Sequence, residues 1–438
     1  MAGSDGPART ISVPFFFASA WQRSRNDTTL RCEVVKRLYE SSSLPARILR
    51  IVNVPQTPSS NCVTTDGATS ITLVTGASKL SMDSGGTITL SGSGIRGYQQ
   101  GAGKVVISAN DVTLGNPSAV SEAMAPTADS GALRIHAERI HLGENAVGVG
   151  GYGTLALKAS DRIVFEGEGS LTTTGNLLAN TAVITGAQGT SYSLLASGAV
   201  TLEGNNTSAP LTGALGASLT IQGSSIVANS NISLPSGQLT LRATDGDLEI
   251  GGSLSVAGSS RKFTDLMRYS DAGSITLESL TGDVVISSGG EISVSASDAG
   301  GNAGTLAVSA AKGVFSNAGR LLGKAGSGGK DSEGGASGSF RLDTGSFSAS
   351  GNASFNEINK ALDTGGFLAS RDLRVRNGDV TLSRTIRSHD FVLSADRGNI
   401  LVSGTIDASG QTGGFISLAA HGNLTLASGA MLNAGGIH

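Results

Sequence analysis

From about residue 63 onward, apolar residues come in pairs separated by one variable position, and many pairs follow a glycine and an Asp or Asn. The phrase reads GDLEI at Gly246–Ile250, GDVVI at Gly282–Ile286, GDVTL at Gly378–Leu382, GNILV at Gly398–Val402 and GNLTL at Gly422–Leu426. Alternation with a period of two puts both apolar side chains on one face of a short strand. Glycine admits positive φ, and Asp or Asn bonds nearby backbone, so each phrase predicts a tight turn feeding a strand. Leu248, Ile250, Val284, Ile286, Ile400, Val402, Leu424 and Leu426 are expected to face inward. Leu401, at a variable position, is expected to face outward.

The spacing of the phrases predicts the architecture. GDVTLSRTI at 378–386 aligns without a gap on GNILVSGTI at 398–406, 20 residues on, and the next copy begins 24 residues later at Gly422. Leu219-Thr220-Ile221 recurs as Leu239-Thr240-Leu241. Ile232-Ser233-Leu234 is followed by Leu254-Ser255-Val256 and then by Ile275-Thr276-Leu277, at offsets of 22 and 21. A period of 20–24 residues with several short strands in each predicts an all-β fold, a right-handed parallel β-helix whose successive turns stack as a solenoid. At ~4.8 Å per turn, about 15–17 turns make a rod roughly 70–80 Å long. An antiparallel sandwich would call for hairpin dipeptides and longer alternating strands, and neither is the rule here.

Composition sharpens a boundary near residue 62. Gly contributes 63 residues to the chain, yet residues 1–60 hold only Gly3 and Gly6; they also hold Trp21 and five of the nine prolines. Eight of the 31 Lys and Arg and four of the 34 Asp and Glu fall there, so a basic head (1–62) precedes a mildly acidic body (63–438). Arg9, the apolar Ile11–Phe17 and Ala18-Ser19-Ala20 imitate the order of a secretory signal, although Pro14 interrupts the apolar stretch. Residues 30–41 can form an amphipathic helix of one or two turns. Net charge is −3, and two cysteines, Cys32 and Cys62, allow at most one internal disulfide.

Three stretches break the repeat. Residues 259–271 (SSRKFTDLMRYSD) lack strand alternation and read as a helical or loop insertion; residues 325–339 are a glycine-rich excursion; residues 355–362 place Phe355, Ile358 and Leu362 at helical spacing. Insertions leave a stack of turns continuous and are free to vary, so binding is expected on 259–271 and 325–339. Arg261, Lys262, Phe263, Met267, Arg268 and Tyr269 combine positive charge with apolar surface and are the candidate partner-contact residues.

The phrases ALRIHAERIHLGEN (132–145), TLALKASDRIVFEG (154–167) and TIDASGQTGGFISLAAHGNLTLASGAMLNAGG (405–436) resemble the filamentous-haemagglutinin-like exoproteins of Gram-negative bacteria. The resemblance implies a protein exported through an outer-membrane β-barrel transporter by two-partner secretion, then held at the cell surface or released. It also implies adhesion or aggregation through contact with host or neighbouring cell surfaces, glycans or like rods. Residues 1–62 do not look like that family's secretion module, so the export route is inferred from the body alone. The final residues, Met431 to His438, follow directly on a turn of the repeat without a polar cap, as expected for a piece of a longer solenoid. On the same resemblance, an alternative is the stalk of a contact-dependent toxin-delivery exoprotein.

Residue chemistry points away from catalysis. His136 and His141 have no HExxH or CxxC context, which leaves them as solvent-facing strand residues without a metal. Asp245 and Asp247 lack the oxygen-ligand series of a calcium loop and read as turn residues. A carbohydrate-active β-helix, lyase or hydrolase, is the enzymatic alternative and needs clustered carboxylates. Here Asp161, Glu166, Glu168, Glu203, Asp283 and Glu291 are dispersed, and Glu166 and Glu168 have no evident basic partner. No phosphate loop or cofactor motif is present, and an acidic body without interleaved basic and aromatic residues argues against nucleic acid. The residues predict a non-enzymatic structural protein, and the resemblance implies that it is extracellular and adhesin-like.

Overall fold

A computed structural model of the chain describes residues 48–51, 62–64, 70–74, 78–81, 86–98, 102–117, 130–205, 214–328, 334–347 and 354–436. The signal-like stretch and the helix expected at 30–41 lie outside the described residues, as does the centre of the glycine-rich excursion. The fold is all-β, with one sheet of 31 strands, two three-stranded sheets and a two-stranded one. Strand pairing in the large sheet is parallel, and most strands bond to one in the preceding turn and one in the next, for example Ser191–Ala196 to Ser218–Gly223 to Gln238–Ala243. Ile48–Ile51 pairs in the same way with Ser70–Val74, so parallel pairing begins ahead of the compositional boundary at 62.

The registers reproduce most of the repeat. Leu219 lies against Leu239 and Ile221 against Leu241; Val380, Ile400 and Leu424 form one row, and Leu382, Val402 and Leu426 the next. Leu248, Ile250, Val284, Ile286, Ile400 and Val402 are buried, within rows of Val, Ile, Leu and Ala that run from turn to turn. Each such side chain contributes about 1.5–3 kcal/mol by leaving water. Leu401 is 38 % exposed, as expected of a variable position.

Two expectations about these rows are corrected. Leu424 and Leu426 sit in the expected register, yet they are 47 % and 54 % exposed, because among the described residues no strand pairs on their other side. The Ile275 strand is not the successor of Leu254. Ile275 pairs with Leu239, and Leu254 pairs with Ile292, because residues 259–271 leave the stack and lengthen that turn to 36 residues. That excursion is neither helix nor loop. Ser260–Phe263 and Leu266–Tyr269 form an antiparallel hairpin, the one antiparallel strand pair among the described residues.

The Gly-Asp/Asn phrase has a different cause from a local turn bond. Asp247 Oδ1 accepts the N–H of Asp283 in the following turn, and Asp283 Oδ1 accepts that of Val314, both at 2.8 Å. Asp379 serves Asn399, and Asn399 serves Asn423, again at 2.8 Å. Backbone bonds run the other way at the next residue: Leu248 N–H donates to Asp283 O and Ile400 N–H to Asn423 O. The side-chain oxygen therefore occupies the space where the next turn's glycine would carry a β-carbon. At Gly282 that atom would collide with the Asp247 carboxylate, at Gly422 with the Asn399 amide, and at Gly198 with the Asn176 amide. Of the five phrase glycines only Gly378 has positive φ, at 94°. Gly282, Gly398 and Gly422 leave no room for a β-carbon.

Residues Phe355–Gly365 form a helix capped by Ser354, whose hydroxyl accepts from Glu357 N–H. Phe355, Ile358 and Leu362 are its buried face. The helix packs between Arg320–Leu322 on one side and Val380–Leu382 and Thr385–Arg387 on the other. It stands where strands would otherwise continue two of the parallel ladders, and both restart beyond it as the two separate three-stranded sheets. The ladder through Ser339–Ser346, Ser370–Val375 and Asp390–Ala395 runs past it unbroken.

Arg371 ties the helix to that ladder. It occupies an interior position in register with Phe340 and Phe391 and is fully buried. Its guanidinium donates to Phe367 O at 3.1 Å, to Asn359 Oδ1 at 3.0 Å and to Asp363 Oδ1. The last helical turn has no basic residue of its own, so Arg371 supplies the cation that complements the helix C-terminus. Burial pulls the guanidinium below its ordinary pKa, and the neighbouring Asp363 carboxylate opposes that shift.

Candidate functional site

The hairpin carries all six candidate contact residues. It leaves the stack between strands Ser253–Ser255 and Ser274–Ser279. Its base is fixed by a serine cluster: Ser236 Oγ donates to Ser270 Oγ at 2.7 Å, and Ser270 N–H donates to Ser259 O at 2.9 Å. Thr264, the first of two residues between the strands, has φ of 53°. A left-handed threonine is unusual, and a sequence search for Asn-Gly or Asp-Gly turns passes it over.

Pairing of Arg261 with Arg268 and of Phe263 with Leu266 puts these four side chains on one face, because directly opposed residues and alternate residues share a face. All four are exposed, Phe263 at 54 %. Ser260, Lys262, Met267 and Tyr269 make the other face, where Met267 and Tyr269 are half-buried. The Arg261 guanidinium lies 5.5 Å from the centroid of the Phe263 ring, within cation–π range. Among the described residues no carboxylate forms an ion pair with Arg261, Lys262 or Arg268. The sequence named these residues as candidates, but only the antiparallel register sets the two arginines side by side.

A second charged cluster joins three consecutive turns. Asp111 receives a two-pronged bond from Arg139, with Nε at 2.8 Å and the terminal nitrogen at 3.2 Å. His141, two residues along the same strand, places Nδ1 2.8 Å from Glu166 Oε1 and Nε2 3.4 Å from Asp111 Oδ1. Glu166 thus has a basic partner that the sequence reading missed; the partner lies 25 residues earlier, in the preceding turn. The Arg139 hydrogen bond holds the Asp111 carboxyl below its ordinary pKa, burial opposes this, and His141 adds to it. His136, on the same strand, is pushed down by burial and by Lys158 and Arg134.

No family model, curated protein or solved structure matches the chain.

The two clusters differ in what they leave available. In the Asp111–His141 cluster both imidazole nitrogens face carboxylates and Arg139 is committed to Asp111, so these groups stitch adjacent turns together. Asp247, weighed above as a calcium ligand, has Oδ1 engaged by the Asp283 N–H, and among the described residues no group of three His, Cys, Asp or Glu is arranged to hold a metal ion. On the hairpin, Arg261, Lys262 and Arg268 form no ion pair among the described residues, and Phe263 and Leu266 are exposed. Of the glycine-rich excursion, residues 334–338 and 325–328 lie against the preceding turn, with Gly326 N–H donating to Gly301 O and Ala303 N–H to Ala336 O.

Proposed function

We propose that the chain is a right-handed parallel β-helix of the filamentous-haemagglutinin kind, acting as a secreted or cell-surface adhesive shaft. Its hairpin at Ser260–Tyr269 is the contact element. The observation that supports this reading is a charged and apolar hairpin leaving an otherwise parallel stack whose aliphatic rows are filled. A stack of this kind sets reach, because each turn buries its apolar face against its neighbours and length grows by repetition. The hairpin sets three cations, none of them in an ion pair among the described residues, beside exposed Phe263 and Leu266. Export through an outer-membrane β-barrel transporter belongs to the same proposal and rests on the repeat phrases.

The test is deletion of residues 260–270 with the flanks joined. Parallel-sheet circular dichroism is expected to be retained and attachment to cells reduced. Unchanged attachment by a folded deletion variant would remove the hairpin as the contact element.

A further inference from the structure

The opposed arginines give the hairpin a more specific reading. Like charges directly across a strand pair repel, and here the pair stands on an exposed face with no carboxylate from the described residues in an ion pair with either arginine. The cation–π contact with Phe263 favours one placement of Arg261 and so lowers the cost of ordering its planar fork on a ligand. Two adjacent guanidinium groups match a chain bearing repeated carboxylates, each of which can accept two parallel N–H bonds. The flanking Phe263 and Leu266 offer apolar surface to the C–H faces of sugar rings.

We propose that the Arg261–Phe263–Leu266–Arg268 face binds an acidic polysaccharide carrying carboxylate groups, such as a uronic-acid polymer. This rests on the adhesive reading of the same hairpin and names its ligand class. The cations project from the broad face of the two-stranded sheet rather than from an edge. A ligand lying over that face meets side chains alone, which suits a glycan. An acidic peptide laid there would leave its backbone N–H and C=O groups without strand partners, whereas at an edge it would bypass the arginine pair. The body around the hairpin carries a net negative charge, so the ligand is held at this patch rather than along the stack.

The experiment uses the full chain on surfaces bearing polygalacturonate, a neutral glucan or polyglutamate. Binding to polygalacturonate is expected, with none to the glucan, and with steep weakening between about 0.05 M and about 0.5 M salt. Arg261→Gln with Arg268→Gln is expected to weaken it at least about tenfold. Lys312→Gln with Arg341→Gln, which removes two exposed charges elsewhere on the body, is expected to leave it unchanged. Equal loss in both variants, or polyglutamate bound as tightly as polygalacturonate, would overturn the proposal. Cell attachment of the 260–270 deletion separates the two levels. Lost attachment without polygalacturonate binding by the intact chain sinks the ligand class and leaves the adhesive hairpin standing. Full attachment by the deletion variant sinks the adhesive hairpin itself.

Discussion

Asp283 joins three turns at one point: its N–H donates to Asp247 Oδ1 in the turn before, and its own Oδ1 accepts the Val314 N–H in the turn after. Asp283→Ala leaves the Val314 N–H without that acceptor, at an expected cost of about 1–2 kcal/mol. Asp283→Asn keeps a carbonyl oxygen in place and is expected to recover most of the loss. Urea unfolding midpoints of the two variants check this. Equal midpoints would show that the side-chain relay contributes nothing.

The aliphatic rows make a sharper contrast. Ile400 is fully buried between Val380 and Leu424, while the adjacent Leu401 is 38 % exposed. Ile400→Asp is expected to destabilise by more than about 4 kcal/mol, since a carboxylate there has no partner. Leu401→Asp is expected to stay within about 0.5 kcal/mol of the parent. Comparable melting temperatures for both variants would contradict the inward and outward assignment.

Much of this was legible in the chain. The period-two pairs carry Leu248, Ile250, Val284 and Ile286 to the interior because strand geometry alone decides their face. The offset of 20 places Val380 against Ile400 for the same reason. What failed was local inference where a distant turn decides. The Asp or Asn of the phrase looks like a turn residue, yet at Asp247, Asp283, Asp379 and Asn399 its oxygen serves a backbone 20–36 residues on. Residues 259–271 show no strand alternation because both faces of the hairpin meet solvent or lie at a half-buried surface, so no apolar row is required. Arg371 is unreadable as a core residue from sequence; its acceptors Asn359 and Asp363 belong to the inserted helix.

Arg371 and Asp363 are expected to respond unequally. Asp363→Asn leaves a fully buried guanidinium without its counter-charge and is expected to cost about 3–5 kcal/mol. Arg371→Met places an apolar side chain in register with Phe340 and Phe391 and is expected to cost less, because Asp363 retains contact with solvent. Thermal unfolding of the two variants decides it. A more damaging Arg371→Met would show that the ion pair stabilises beyond its burial.

Acid sensitivity is expected at Asp111. Its folded pKa lies below the ordinary 3.8, so its contribution is fully present above that value and is lost as pH falls through the folded pKa. Asp111→Asn is expected to flatten stability against pH in the window below about 3.8. Stability profiles of parent and variant that stay parallel through that window would exclude the pairing with Arg139.

The helix Phe355–Gly365 sets a limit on how far damage travels. In a stack where each turn leans only on its neighbours, a lesion unzips along the ladders that connect it to the rest. At the helix two ladders stop and one continues, so a lesion at Ile400 meets a firebreak there, with Ser339–Ser346 and Ser370–Val375 as the only strand bridge among the described residues. The part ahead of the helix can outlast the loss of the part beyond it, and heat applied to the chain would shed its later turns as one block.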